Sequence, residues 1–216
     1  MKHFPVGRVD YLAIILVLTG CAGMPPSDVA LSAVDRAQIK NIKIRSDGKM
    51  PEKMMLYLDV GSPLVGAGMA EHGHSDEKSL VIDTMKRNDI DLPAILKSEF
   101  QNAVRARADL NLIEDRSPAD AELALTVNIY GLYQYQGWRL AGGPLYPILN
   151  VTASLRRVDG NVIWQKTEFV SAVNRQNNVS SKFDFYIRNP EHLRRAFTNV
   201  AAIVSRMLVD DLLPPK

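Results

Sequence analysis

The sequence predicts an α+β fold, a mostly antiparallel sheet of about five or six strands with two helices packed on one face. Between Ala121 and Tyr130 apolar and polar residues alternate with a period of two, the mark of a strand buried on one side. Asp159-Gly160 separates two further strand-like runs, and both residues tolerate the positive backbone angles of a tight hairpin turn. Two other segments, starting near Leu92 and Pro190, instead repeat their apolar residues at helical spacing. The chain has 216 residues, 46% hydrophobic and 23% charged, the usage of an ordinary globular protein with one core.

In chain order, Asn41-Ile-Lys-Ile-Arg45 and Lys53 to Asp59 are two strand-like runs, and Ser46-Asp-Gly-Lys between them has turn chemistry, so the two are expected to form a hairpin. Gly61 to Ser79 is rich in glycine and has no sustained period, which predicts a long loop where a partner touches. Leu92 to Arg107 predicts a helix with Asp91 or Leu92 near its cap, Pro93 in its first turn and Leu96, Phe100, Ala103 and Val104 on one stripe. A short strand over Asn111 to Glu114 and a polar break to Asp120 lead into the strand from Ala121, which should run on toward Tyr135 with Ala121, Leu123, Leu125, Val127 and Ile129 inward. Gly137 to Pro147 is a loop. Strands then follow from Leu149 to Leu155 and from Val162 to Val170. Asn189, Pro190 and Glu191 have the side chains that start a helix, and Leu193, Phe197, Val200, Val204 and Met207 mark its buried stripe up to Pro214-Pro215. Two helices over one sheet make a two-layer α+β arrangement.

The first twenty residues have a different logic. Lys2 and Arg8 precede an apolar stretch from Tyr11 to Leu18, and the small residues Thr19 and Gly20 follow, which is the layout of a secretory signal. The apolar run is about half of the roughly 20 residues a spanning helix needs, so a permanent transmembrane segment is the poorer explanation. Next stands Cys21, the only cysteine in the chain. It has no partner for an intramolecular disulfide. Leu18-Thr19-Gly20-Cys21 resembles the lipobox of bacterial lipoproteins, a leucine three places before an invariant cysteine with small residues between. The resemblance implies that Leu18, Thr19 and Gly20 are recognised by a signal peptidase, and that Cys21 receives S-diacylglycerol and an N-acyl chain such as palmitate. One acyl chain anchors only marginally, whereas two or three hold a protein stably at a bilayer. Ala22 stands where an aspartate would favour the inner membrane, so the expected location is the periplasmic face of the outer membrane, with the inner membrane as the alternative. The implied organisation is a lipoprotein signal peptide over 1–20, a lipidated tether over 21–38 and a periplasmic α+β domain over 39–216.

The formal charge is +2, and without Lys2, Arg8 and Asp10 the remaining 24 basic and 23 acidic residues leave +1. Such a near-neutral body exerts no long-range pull on nucleic acid. There is no G-x-S-x-G turn, no phosphate-cradling loop and no marked carboxylate pair, so no catalytic role and no cofactor are expected. His72 and His74, beside Glu71 and Asp76, are candidate metal ligands, although Gly73 between them presets no geometry and a solvated loop is the better explanation. Of the aromatic residues in mid-chain, Tyr130 and Trp164 are expected to pack the sheet, while Tyr133, Tyr135 and Trp138 near the Gly142-Gly143-Pro144 loop are the candidate exposed partner contacts. Arg156, Arg157, Arg175, Arg188, Arg194 and Arg195 make either a basic face or scattered surface charge.

Over residues 40–213 the order of elements resembles the small α/β periplasmic domains of outer-membrane accessory lipoproteins, such as those of curli secretion and of penicillin-binding-protein activation. That resemblance implies a non-catalytic accessory lipoprotein that supports an envelope, secretion or transport complex through an envelope protein partner. A binding module for a small envelope ligand is the alternative, and an unrecognised hydrolase a more remote one. The oligomeric state is left open.

Overall fold

The structure is a computed structural model that describes residues 27–46, 50–51, 54–57, 75–107, 110–113, 118–134 and 143–214. Six strands and five helices are formed by these residues. The strands are β1 (Asn41–Ser46), β2 (Met55–Tyr57), β3 (Asn111–Leu112), β4 (Ala121–Gln134), β5 (Leu145–Arg157) and β6 (Val162–Val170). The helices are α1 (Ala33–Gln38), α2 (Ser75–Arg87), α3 (Leu92–Arg105), α4 (Phe183–Arg188) and α5 (Pro190–Leu212).

The α+β class is as expected, but the sheet is mixed rather than mostly antiparallel. Its order is β3-β1-β4-β5-β6, with β2 also paired to β4. The β4-β5-β6 meander is antiparallel and turns at Gly160, whose φ of 88° is the positive angle the Asp-Gly pair foretold. On the other edge, β1 pairs in parallel with both β3 and β4. β2 pairs in parallel with β4 as well, so β1 and β2 do not form a hairpin; they lie one after the other along the same edge of β4. A period of two marks a strand without saying which way its neighbour runs, and the intervening turn residues made the hairpin look natural.

Helices α3 and α5 pack together and against the sheet, as the two apolar stripes require. Asp91 accepts from the Ala94 N–H at 3.1 Å, and Asn189 accepts from the His192 N–H at 3.1 Å, so both expected caps form. Leu193, Phe197, Val200, Val204 and Leu208 of α5 are fully buried with Leu92, Leu96, Phe100 and Val104 of α3. Three further helices appear. Residues 75–79, expected in a loop, are the first turns of α2, whose narrow buried stripe is Val81, Thr84 and Met85; the rest of that expected loop lies outside the described residues. The six-residue helices α1 and α4 are too short to declare a period. Among the described residues no helix is long and apolar enough to cross a membrane.

One register change moves a set of side chains. A bulge at Asn128 lets Val127 face Val151 and Ile129 face Asn150, so the alternation flips. Leu123, Leu125 and Val127 point into the core before the bulge, and Tyr130 and Leu132 do so after it. Ile129, expected inward, is therefore only half-buried.

Candidate functional site

Two features outside the core carry polar chemistry. The first is a strap. Residues 27–41 cross one end of the sheet, from the outer edge of β6 to β1. Val29 exchanges backbone hydrogen bonds with Gln165 at 2.8 and 2.9 Å, and Gln165 Nε2 donates to the Ser27 carbonyl at 3.1 Å. Asp28 accepts from Lys166 Nζ at 2.8 Å. Asp35, in the α1 turn capped by Ser32, then accepts from Arg157 Nε of β5 at 3.0 Å. Finally the Lys40 and Asn41 N–H groups donate to Asp120 at 2.9 and 2.8 Å, just before β4 begins. The described part of the expected 21–38 tether thus carries a helix and is tied to the body through Asp28, Val29 and Asp35.

These contacts set the charges. Hydrogen bonding to Lys166 holds the Asp28 carboxyl below its ordinary pKa and raises that of Lys166 in turn. Ser32 first, then Arg157, lowers Asp35, and the Lys40 and Asn41 N–H groups lower Asp120. Glu168, two residues on from Lys166 along β6, is instead raised by burial, with Lys166 opposing. The sign follows from linkage. A carboxyl raised on folding contributes its full stability below its unfolded pKa and loses it as pH rises through the folded one. Glu168→Gln is therefore expected to be more stable than the parent at pH 7, with the difference vanishing below about pH 4, where both side chains are neutral. Urea midpoints at the two pH values check it.

The second feature is the sheet face opposite α3 and α5. Asn128 Nδ2, outward by the alternation that precedes Ile129, donates to Asn150 Oδ1 and to Thr152 Oγ1, each at 2.8 Å. Thr152 Oγ1 and Thr167 Oγ1 lie 2.8 Å apart, and since Thr152 accepts from Asn128 its own proton is free for Thr167. This polar ladder crosses β4, β5 and β6. Each such bond contributes about 0.5–1.5 kcal/mol and fixes its side chain, which leaves a rigid, hydrogen-bonding surface with exposed Thr126 and Asn128.

Of the residues singled out from the sequence, Leu18, Thr19, Gly20, Cys21, His72, His74, Tyr135 and Trp138 lie outside the described residues. Tyr133 is described and is half-buried, its Cα opposite Tyr146 in β5 and Tyr57 in β2. Tyr130 and Trp164 do pack the sheet: Tyr130 sits 6.5 Å from the Phe197 ring, and Trp164 is fully buried with its Nε1 donating to Asp211 at 2.8 Å. The arginines make no single basic face, since Arg157 holds the strap and Arg194 donates to the Asn88 and Asp89 carbonyls after α2. Among the described residues no cluster of three metal-ligating side chains occurs. Sequence reasoning missed the ladder, although the outward Thr126 and Asn128 of β4 were its visible signal.

The fold and its two polar features define an α+β protein with a strapped mixed sheet. No protein-family model matches the chain, and no curated protein matches it. Among solved structures it is similar to a DUF330 protein from Xanthomonas campestris, at 15% identity and a TM-score of 0.38 over 56% of this chain and 61% of that one; the chain thus spans about three fifths of that protein's length. It is also similar to the PelC dodecamer subunit of Paraburkholderia phytofirmans, at 15% identity and 0.38 over 88% and 97% of the two chains. A minor lipoprotein of Acinetobacter baumannii is similar at 14% identity and 0.34 over 82% and 95%.

Proposed function

We propose that this chain is a lipid-anchored accessory protein of a bacterial envelope, held at the periplasmic face of the outer membrane by acyl chains on Cys21, with no catalytic role of its own and with an envelope protein as its partner. The observation that carries it is Leu18-Thr19-Gly20-Cys21 placed directly after the only long apolar run of the amino-terminal region. The strap is compatible with that role. Five residues lie between Cys21 and Ser27, where the described fold begins, and the six residue-to-residue steps reach at most about 20 Å even when fully extended. An anchor at Cys21 would hold the body within that distance of the bilayer. The rigid ladder face is the surface offered to the partner.

The test is fractionation with intact-mass measurement of the mature amino terminus. The wild-type protein is expected in the membrane fraction, beginning at Cys21 and carrying the added mass of diacylglycerol plus an acyl chain. Cys21→Ser is expected to lose both the acyl mass and cleavage at this site. A wild-type protein that keeps its first twenty residues and carries no acyl mass would overturn the proposal.

A further inference from the structure

Where the strap crosses the end of the sheet it borders an open, largely apolar cavity of about 360 Å³. Leu31 of the strap, Ile39 and Ile42 at the start of β1, Leu110, Leu155 of β5 and Leu212 at the end of α5 form its walls. Its volume falls within the roughly 300–1,000 Å³ of small-molecule sites, which are mostly apolar with a few placed polar groups. Here the placed groups are two cations, Arg36 and Lys40. Two carboxylates beside them are otherwise engaged: Asp35, next to Arg36 in the chain, binds Arg157, and Asp120 accepts the Lys40 and Asn41 N–H groups. Neither Arg36 nor Lys40 has an ion-pair partner among the described residues.

A largely apolar cavity lined by two cations that have no ion pair among the described residues matches an acyl chain that carries an anion at one end. We infer that it binds one acyl chain of an anionic membrane phospholipid, with the headgroup phosphate against Arg36 and Lys40. The charge distinguishes this occupant from the protein's own anchor, because acyl chains on a cysteine sulfur and an acylated amino group bring no negative charge for the two cations to meet. Burying the chain's methylenes supplies affinity, and the phosphate supplies selectivity among lipids. The site goes beyond the accessory role proposed above and does not depend on it, since its lining comes from residues between Leu31 and Pro214.

The full chain, purified in a neutral detergent, is titrated with phosphatidylglycerol bearing a fluorescent tail and with phosphatidylcholine bearing the same tail. Saturable binding of one phosphatidylglycerol per chain is expected, with phosphatidylcholine at least about tenfold weaker, the discrimination that one or two charge-assisted hydrogen bonds provide. Arg36→Glu/Lys40→Glu is expected to abolish that preference while leaving the urea midpoint of these surface positions nearly unchanged, and Leu31→Trp, which fills the cavity, to block both lipids. Equal binding of the two lipids by the parent chain, or a preference that survives the charge reversal, overturns the inference. The same titration on Cys21→Ser separates the two proposals. Unchanged phosphatidylglycerol binding supports the site whatever the mass of Cys21 proves to be, whereas binding seen only once Cys21 is removed would show the cavity occupied by the protein's own lipid and overturn it.

Discussion

Trp164→Ala should be among the most destabilising single substitutions in this protein, by about 3–5 kcal/mol, the range for removing a fully buried aromatic side chain. The indole sits where three elements meet: on β6, opposite Leu155 of β5, and against the end of α5 through its hydrogen bond to Asp211. Two losses are involved and packing is the larger. Lost packing includes a cavity that β5 and α5 cannot close, because their own strand and helix hydrogen bonds hold them in place. The lost hydrogen bond matters less, since Asp211 is partly exposed and has Lys166 Nζ 3.9 Å away. Trp164→Phe separates the two. It keeps most of the volume while deleting the Nε1 donor, and should cost only about 1–2 kcal/mol. Urea unfolding followed by circular dichroism measures both, and the alanine variant should also unfold about 10 °C lower for a body of this size. An alanine cost below about 1 kcal/mol, or a phenylalanine variant as damaged as the alanine one, would contradict this order of terms.

The contrast between what the residues announce locally and what they leave to tertiary contact runs through the molecule. Asp91 and Asn189 cap α3 and α5 as expected, because a cap is a contact between residues three apart and is written in adjacent sequence. The long strand was visible in its alternation, yet the bulge at Asn128 was not, because Ile129 and Tyr130 both suit a buried position and only the register with β5 chooses between them. The parallel placement of β1 and β2 on one edge of β4 depends on how α2 and α3 return the chain, which no pattern within either strand records. The candidate sites divide in the same way. Cys21 is legible because a processing enzyme would read a linear tetrapeptide. The Asp28–Lys166 pair joins residues 138 apart, and Asp120 meets the strap 79 and 80 residues away, so neither has a signature in the chain. The nearness of Tyr133 to a glycine loop suggests exposure, whereas its flanking strands leave it half-buried.

Gly131→Ala should detach β2 from the sheet edge. A Cβ at this position would lie 1.8 Å from the Met55 carbonyl oxygen and 2.7 Å from its carbon, and the obstruction is backbone, which has no rotamer by which to move aside. Alanine would otherwise favour the folded state by about 0.5–1 kcal/mol through the reduced freedom of the unfolded chain. The clash outweighs this, because relieving it means shifting a strand of only three residues that pairs Met55, Leu56 and Tyr57 with Gly131, Leu132 and Tyr133. Met54 and Leu56 are 2% and 6% exposed, and partial release of such side chains puts the net cost at about 1–3 kcal/mol, as for other overpacked sites. The effect should be local. Amides of residues 54–57 should lose protection in hydrogen exchange while those of the β4-β5-β6 meander keep theirs, since the meander's hydrogen bonds lie on the other side of β4. Stability equal to or above the parent's, with β2 amides still protected, would mean that Met55 yields more easily than its backbone position implies.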